Sequence, residues 1–408
     1  MSDIAFMTQA DSRYLDANQR SIEWVLSRSH DEPWINTKFN PIELRDYSIE
    51  DALRGPGFVY GWIQGRALES LIQHARSLAV DDPLLSSSLL ARCRVLYKAL
   101  DDLHSEHDHA CFCYDRNMTP VVTGSQFTGQ AQRRSPRIRT YSDLFVVKGL
   151  IAASALLAPE CLERHLSSLE IIIQAIDNDH FLMDESGHID HEALQRQEKD
   201  FGPRMIALGA ASLLHSLDLP HRDHFSKRFV QDVLEQHAHA NSGLISNAPG
   251  GAVLNAGHAI ELIGFHLETW GNALPDRVIA TLSRLLAGTF NSAFDGSGLR
   301  LTIDLATRKS CSNLSPWWSL PETIRAASLA FELTQDPQFL QIWQAADKAF
   351  FENFWLGSPP LAVQMMRDGH AVDIVPATPD LDPGYHTGLS LLAARGVCQR
   401  RLLTSTTH

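Results

Sequence analysis

Asn255-Ala-Gly-His-Ala-Ile-Glu261, inside the longer stretch 250–268, decides how this chain is read. A loop rich in Pro, Gly and Asn, Asn247-Ala-Pro-Gly-Gly251, runs into an apolar segment with helical spacing. Asn255 suits the N-cap, where a side-chain oxygen accepts from the first orphan backbone N–H groups of a helix. His258 then falls in the first turn and Glu261 three residues on, so both project from one face. Ile260, Leu262, Ile263, Phe265 and Leu267 make the segment apolar on nearly every other side, which marks a buried helix. Two readings compete. One is a core histidine hydrogen-bonded to its own glutamate. The other is an imidazole kept neutral by the helix dipole and by burial, oriented by Glu261 and acting as a proton acceptor.

Outward from this helix, the chain alternates two kinds of period-3.6 segment. Leu84 to Leu103 sets Leu85, Leu89, Leu96, Leu100 and Leu103 against Arg92, Arg94, Lys98, Asp101 and Asp102, a helix with one wet face. Cys161 to Ile176, Ser226 to Ala240, Leu274 to Asn291 and Gln335 to Phe354 follow the same pattern. Between them lie more uniformly apolar helices: Val59 to Ala79, Tyr141 to Leu157, Arg204 to Leu217, Ala256 to Thr269, Pro316 to Thr334 and Tyr385 to Arg395. This alternation predicts an inner layer of helices wrapped by an outer one, as stacked helical hairpins give. Arg66, Asp143, Arg204, His258, Trp318 and His386 each stand near the start of an inner helix, about 55 to 77 positions apart. Six such units fill residues 1–408 without a linker, which predicts an all-α fold in one domain, an (α/α)6 barrel. Short β signals interrupt it. Ala110 to Val122 alternates around an Asp/Asn turn and reads as a hairpin, and Phe294 to Asp304 is a second excursion.

Composition narrows the function. With 408 residues, 44% hydrophobic and 20% charged, the chain is an ordinary globular protein with a large core. Its formal net charge of -13 argues against nucleic-acid partners and against anionic membrane surfaces. No apolar run approaches the roughly 20 residues of a membrane span. Met1-Ser-Asp-Ile-Ala-Phe-Met-Thr-Gln9 lacks a basic region followed by an apolar core, so no signal peptide is expected. Six scattered cysteines then read as reduced thiols in a cytoplasmic protein.

Four further groups gather at inner-helix starts. Phe58-Val-Tyr-Gly-Trp-Ile-Gln-Gly-Arg66 brings Tyr60, Trp62, Gln64 and Arg66 to one turn-to-helix junction. Tyr141-Ser-Asp-Leu-Phe145 opens the next inner helix, and Arg204 stands at the start of the third. Ser315-Pro-Trp-Trp-Ser-Leu-Pro-Glu322 reads as a Ser cap with Pro at the first helical position, then Trp317, Trp318 and Glu322. Asp382-Pro-Gly-Tyr-His-Thr387 places His386 after a Pro-Gly turn. Tryptophans usually fill core, but aromatic faces beside Arg and His also hold sugar rings. If the inner helices run parallel, two histidines, an arginine, two glutamates and several aromatics line one cavity, a set suited to proton transfer at a carbon next to a carbonyl. Other clusters carry less. His104, His107, His109, Cys111 and Cys113 have the look of metal ligands, yet alternate side chains of a hairpin point apart, so no metal is expected. Gln126 to Thr140, with Arg133, Arg134, Arg137 and Arg139, reads as a solvated basic loop. No Gly-rich phosphate loop is present, so a nucleotide requirement is not readable from motifs.

Tyr60-Gly-Trp-Ile-Gln-Gly-Arg66, Asn255-Ala-Gly-His-Ala-Ile-Glu261, Trp317-Trp-Ser-Leu-Pro-Glu322 and Gly384-Tyr-His-Thr387 resemble, in order, motifs of the N-acylglucosamine 2-epimerase superfamily. That superfamily includes N-acylglucosamine 2-epimerases, mannose isomerases and cellobiose 2-epimerases. The resemblance spans roughly residues 45 to 395. It implies an (α/α)6 barrel and a two-histidine mechanism on His258 and His386, with Arg66, Glu261 and Glu322 in support. It also implies a small-molecule sugar substrate held by Tyr60, Trp62, Gln64, Tyr141, Arg204, Asn255, Trp317 and Trp318, no cofactor, and the homodimeric pairing frequent in that family. Chemically, one imidazole removes the C2 proton of an open-chain aldose, Arg66 stabilises the enediolate oxygen, and the other imidazole returns a proton. Return to the opposite face of C2 gives epimerisation; return to C1 gives aldose–ketose isomerisation. Mannose isomerases and cellobiose epimerases usually carry another histidine on the third inner helix. Phe201-Gly-Pro-Arg-Met-Ile-Ala207 has none and looks closer to the N-acylglucosamine type. The arginine that often follows the last motif histidine is also absent, since Thr387-Gly-Leu-Ser390 follows His386. Two readings of other classes stand beside this one: a carbohydrate hydrolase using Asp143 and Glu322 as its carboxylate pair, and a non-catalytic sugar-binding protein.

Overall fold

The computed structural model describes residues 3–28, 32–124, 129–374 and 380–405. Among the described residues there are thirteen α-helices: α1 Asp3–Ser27, α2 Gly61–Asp81, α3 Pro83–His107, α4 Tyr141–Leu157, α5 Leu162–Asp177, α6 His191–Arg196, α7 Gly202–Ser216, α8 Ser226–Gln236, α9 Ala256–Trp270, α10 Asp276–Ala293, α11 Ser319–Thr334, α12 Pro337–Ala349 and α13 Ser390–Ser405. Short π-helical turns, Phe350–Phe354 and Tyr385–Leu389, extend α12 and precede α13. Among the described residues the strands are two or three residues long and pair into two- and three-stranded sheets.

By their contacts the residues group into two compact units. One takes the described residues of Ile22–Glu198 and Pro376–Tyr385. In it α2 packs against α3 and α4, and α4 against α5. Every residue of α4 from Ser142 to Ser154 is buried, whereas α3 keeps a wet face, so the expected inner and outer layers are both present here. The inner pair approaches closely at two glycines. A Cβ on Gly65 would lie 2.6 Å from the Phe145 carbonyl, and one on Gly149 would lie 2.5 Å from the Gly65 oxygen. Side chains there would force the two helices apart.

The other unit takes the described residues of Met1–Ser21, Lys199–Val375 and His386–His408. Its inner helices are neighbours in series, α7 to α9, α9 to α11 and α11 to α13, backed by α8, α10 and α12. The sequence reading missed α1, which supplies an outer helix. Asp11 accepts from Arg395 Nε of α13 at 3.2 Å. Tyr14 is fully buried, donating its hydroxyl to Asp347 of α12 at 2.9 Å and accepting from Trp343 Nε1 at 2.8 Å.

Several boundaries differ from those expected. Val59–Tyr60 is a strand paired with Cys113–Tyr114, so α2 begins at Gly61. Ser226 to Ala240 ends as a helix at Gln236, and Ala238–His239 turns back to pair with Leu244–Ile245. Ser315 is not a cap and Pro316 does not open a helix. Leu314–Pro316 pairs antiparallel with Met365–Arg367, and α11 starts at Ser319 with Trp318 at its N-cap. A proline fits both settings because its missing N–H is tolerated at a helix start and at strand positions that need no donor. The Ala110–Val122 hairpin is present. Asp115 accepts from the backbone N–H of Asn117 and Thr119 at the turn, and Val121 N–H donates to Cys113 O at 3.0 Å. The second excursion is a strand, Thr302–Asp304, between Val253–Asn255 and Lys309–Ser310.

Of the basic segment expected as a solvated loop, residues 126–128 lie outside the described residues. Arg134 and Arg139 correct that expectation. Arg134 is buried in an ion pair with Asp143, and Arg139 donates to Asp108 O at 2.8 Å. Asp143 is the third residue of α4 and also accepts from Thr140 N–H at 2.8 Å and Ala110 N–H at 2.9 Å. A buried carboxylate at a helix start draws a guanidinium out of the loop. Burial by itself would raise the Asp143 carboxyl, but Arg134 and His109 outweigh it and hold it well below the usual carboxylate range.

Candidate active site

In the unit that holds α9, α11 and the turn before α13, the residues singled out from the sequence come together. Asn255 caps α9 as expected, its Oδ1 accepting from His258 N–H at 3.2 Å. The Val253–Asn255 strand, paired with Thr302–Asp304, fixes where that cap begins. His258 projects half-buried from the first turn, and its ring lies 5.4 Å from the Trp318 ring at 31°. Trp318 stands before α11 and meets a second imidazole, that of His386, at 5.5 Å and 34°. Trp317 closes on His386 edge-on at 6.3 Å.

His386 is buried in a polar cage. Its Nδ1–H donates to Glu322 Oε1 at 2.9 Å, and Glu261 Oε1 lies 3.9 Å away. Glu322 Oε2 is 3.1 Å from Arg325 Nη1, one turn further along α11. Arg325 lies over Phe265 at 4.8 Å and reaches towards Glu268 at 3.9 Å. Glu261, expected beside His258 from its spacing, thus also belongs to the surroundings of the second histidine. Arg325 was not singled out from the sequence, although Glu322-x-x-Arg325 is the three-residue spacing that pairs charges on a helix.

Glu261, Glu322 and His386 offer ligand atoms within 4.8 Å of one another, close enough to share a cation. Arg325 already places a positive charge against one of these carboxylates, so the set also reads as an imidazole–carboxylate–guanidinium chain.

Arg66, Trp62, Tyr60, Gln64 and Tyr141 lie in the other unit. The Arg66 guanidinium is 4.1 Å from the Phe145 ring, 4.8 Å from Trp62 and 5.1 Å from Tyr385. Trp62 stacks on Phe145 at 5.1 Å and meets Tyr141 at 5.5 Å. Buried Lys148 donates to the Tyr385 hydroxyl at 2.5 Å and lies 3.2 Å from Glu69. An aromatic floor carrying two cations is thus built from α2, α4 and the turn at Tyr385. Two neighbours serve the scaffold instead. Gln64 exchanges both amide hydrogen bonds with the backbone of Ile35, at 2.8 and 3.0 Å. Tyr60 donates to Leu53 O at 3.2 Å and sits in a core cluster with Ile63, Phe112 and Cys113. In the unit with the histidines, Arg204 faces α8, with Phe229 at 5.6 Å and Asp232 at 3.8 Å.

The His104 to Cys113 group has separate partners. His109 faces Asp143 at 3.5 Å, Cys111 N–H donates to Tyr114 Oη at 2.7 Å, and Cys113 lies in the Tyr60 cluster. Burial raises the Cys111 thiol and pushes Cys113 up to about 12.

No protein-family model and no curated relative matches this chain. Solved structures do. A cellobiose 2-epimerase from Spirochaeta thermophila superposes with a TM-score of 0.73 at 14% identity, over 98% of each chain. A cellobiose 2-epimerase from Bacillus thermoamylovorans gives 0.73 at 12% identity, over 97% of this chain and 99% of its own. A D-mannose isomerase gives 0.72 at 12% identity, over 97% and 98%. The chain therefore has the all-α fold of these structures, the (α/α)6 type expected from the sequence, with short β-hairpin excursions.

Proposed function

We propose that the protein is a sugar epimerase of the N-acylglucosamine 2-epimerase type, moving a proton at C2 of an open-chain aldose through a cis-enediolate. The observation that carries this reading is the pair of imidazoles, His258 and His386, set against one indole, with Glu322 on Nδ1 of the second. A carboxylate at Nδ1 fixes the tautomer and favours the imidazolium that forms when Nε2 takes up a proton. Removing the proton from one face of C2 and returning one to the opposite face need two such groups. The motif match assigns Arg66 to the negative charge that develops on the enediolate oxygen, where a fixed guanidinium on an aromatic floor acts most strongly. The similarity in fold to two cellobiose 2-epimerases and a D-mannose isomerase supports the same chemistry.

The test is incubation with mannose, glucose, fructose, N-acetylglucosamine, N-acetylmannosamine and cellobiose in deuterated water, followed by NMR. Deuterium is expected at C2 of one of them, and His258→Ala and His386→Ala are each expected to abolish its conversion into the C2 epimer, leaving at most exchange without inversion. Epimerisation surviving at the wild-type rate in either variant would sink the two-base mechanism. Appearance of a ketose would point to the aldose–ketose isomerase reading, which the D-mannose isomerase similarity also favours. The hydrolase reading loses support from Asp143, which is buried and occupied by Arg134 and two backbone N–H groups.

A further inference from the structure

We propose that Trp318 is a positioning residue that fixes the two imidazoles relative to each other, and that Gly257 is the residue that lets it do so. The inference rests on the epimerase reading. Gly257 is the second residue of α9 and directly precedes His258. Its φ is not positive, so the backbone there does not demand glycine. Space does. A Cβ on Gly257 would lie 2.5 Å from Trp318 Cζ3, closer still to Cη2, and 3.2 Å from the Ser319 Cβ. The indole thus fills the volume that any other residue at 257 would occupy. Trp318 is only 9% exposed, so its ring has little room to swing aside.

From that seat the one ring touches both histidines, at 5.4 Å and 5.5 Å, and is tilted from each by about 30°. Its contacts join three elements: the start of α9, the start of α11 and the π-helical turn before α13. Glu322 fixes His386 in rotation through Nδ1, but a hydrogen bond to one nitrogen leaves the ring's height above the substrate to packing. Trp318 supplies that packing for both bases at once. Two groups that exchange protons with a single carbon must each sit within hydrogen-bond reach of it, and a displacement of about 1 Å costs on the order of 100-fold in rate. Trp318 therefore acts as a spacer between bases, a role distinct from stacking on a sugar.

Four proteins test this: wild type, Gly257→Ala, Trp318→Phe, and the double variant. Two measurements are made on each, kcat and KM for C2 deuterium exchange, and the NMR shifts of the His258 and His386 ring Cε1–H groups. Gly257→Ala is expected to lower kcat about 100-fold while KM stays within about threefold, and to move both imidazole resonances. Trp318→Phe, which keeps an aromatic ring but shortens it, is expected to lower kcat about tenfold. The double variant is expected to recover at least about tenfold over Gly257→Ala, because the shorter ring relieves the clash. The proposal is overturned if Gly257→Ala leaves both resonances in place, if the double variant is no better than Gly257→Ala, or if Trp318→Phe changes KM alone, as sugar stacking would. Should wild type exchange no sugar, the epimerase reading fails, and the resonance shifts still decide whether Trp318 places the two rings. Should Gly257→Ala not fold, Trp318→Phe carries the same decision through its KM-against-kcat split and its shifts.

Discussion

Glu322 accepts from His386 Nδ1–H at 2.9 Å through one oxygen and faces Arg325 Nη1 at 3.1 Å through the other. All three side chains are buried, so the carboxylate bridges an imidazole and a guanidinium away from water. Glu322→Gln keeps the shape and removes the charge. The amide can present either an oxygen or an NH2 group to Nδ1, so the ring loses its enforced tautomer and its stabilising anion. We expect kcat for C2 exchange to fall by about 100-fold or more with KM little changed, as for an orienting carboxylate. Glu322→Ala adds a stability cost of about 3–5 kcal/mol, because it leaves the buried guanidinium and imidazole without the acceptor oxygen that a glutamine would still offer. A denaturation midpoint lowered in Glu322→Ala far more than in Glu322→Gln would separate the two effects; equal midpoints would contradict the bridge.

Two arginines named from the sequence part company in the structure, and this gives a contrast to measure. Arg66 is buried against Phe145, Trp62 and Tyr385, whereas Arg204 is half-buried and turned to Phe229 and Asp232 of α8. Arg66→Lys replaces a planar ion that can stack on rings with a compact ammonium, and is expected to cost about 100-fold in kcat. Arg204→Ala is expected to leave kcat and KM within about twofold and to cost up to about 1 kcal/mol in stability, as a partly exposed ion pair does. A large loss of exchange in Arg204→Ala would return that residue to the substrate site.

The sequence carried the layer pattern well, because the all-round apolar helices are long and their starts are marked by Asn, Gly or Thr. Tyr141–Leu157 matches α4 end to end. The failures have a common cause, which is partners distant in the chain. Pro316 satisfies a helix-start rule locally, yet Met365 pairs with it from 49 positions away. Glu261 shares a helix face with His258, but its 3.9 Å approach to His386 depends on how the turn before α13 meets α9. Helix α1 was legible in principle, since Ala10, Tyr14 and Ala17 follow a helical spacing and are all buried. Arg134 read as solvated because nothing near it in sequence but Asp143, nine residues on, reveals a buried anion.

The Lys148–Tyr385 pair offers a double-mutant cycle. Lys148 has no exposed surface, and its Nζ donates to the Tyr385 hydroxyl at 2.5 Å. Tyr385→Phe keeps the ring under Arg66 but removes the acceptor. It is expected to destabilise the protein by about 1–3 kcal/mol, the cost of taking a hydrogen bond from a buried charge. Lys148→Met in the same background removes the ammonium as well and takes the cation from buried Glu69 3.2 Å away, so the double variant is expected to be less stable than Tyr385→Phe alone, by less than the cost of Lys148→Met in the wild-type background if the pair is coupled. Strict additivity of the two changes in urea denaturation would show that the pair is not coupled.

Glu185 makes the stability of its unit depend on pH. The side chain is buried, with Oε1 accepting from Ser142 N–H at 2.9 Å and Oε2 without a hydrogen-bond partner among the described residues. Burial raises its carboxyl from 4.5 to about 7, against the pull of nearby Arg134 and the Ser142 hydrogen bonds, with Asp143 adding a smaller push in the same direction. An acid whose pKa is raised by folding contributes its full stability below the unfolded value of 4.5 and loses it as pH rises through 7. The neutral acid fits this pocket and the anion does not. Glu185→Gln mimics the neutral form at every pH. Its stability is therefore expected to match wild type near pH 5 and to exceed it near pH 8 by up to about 3 kcal/mol. Asp143 works in the opposite sense, because its depressed carboxyl contributes stability at neutral pH that is lost only in strong acid. Between about pH 5 and 8 Asp143 is therefore silent, and a difference between Glu185→Gln and wild type that grows with pH in that window belongs to Glu185. A difference that stays flat would mean that the carboxyl ionises in the folded protein as readily as in the unfolded chain.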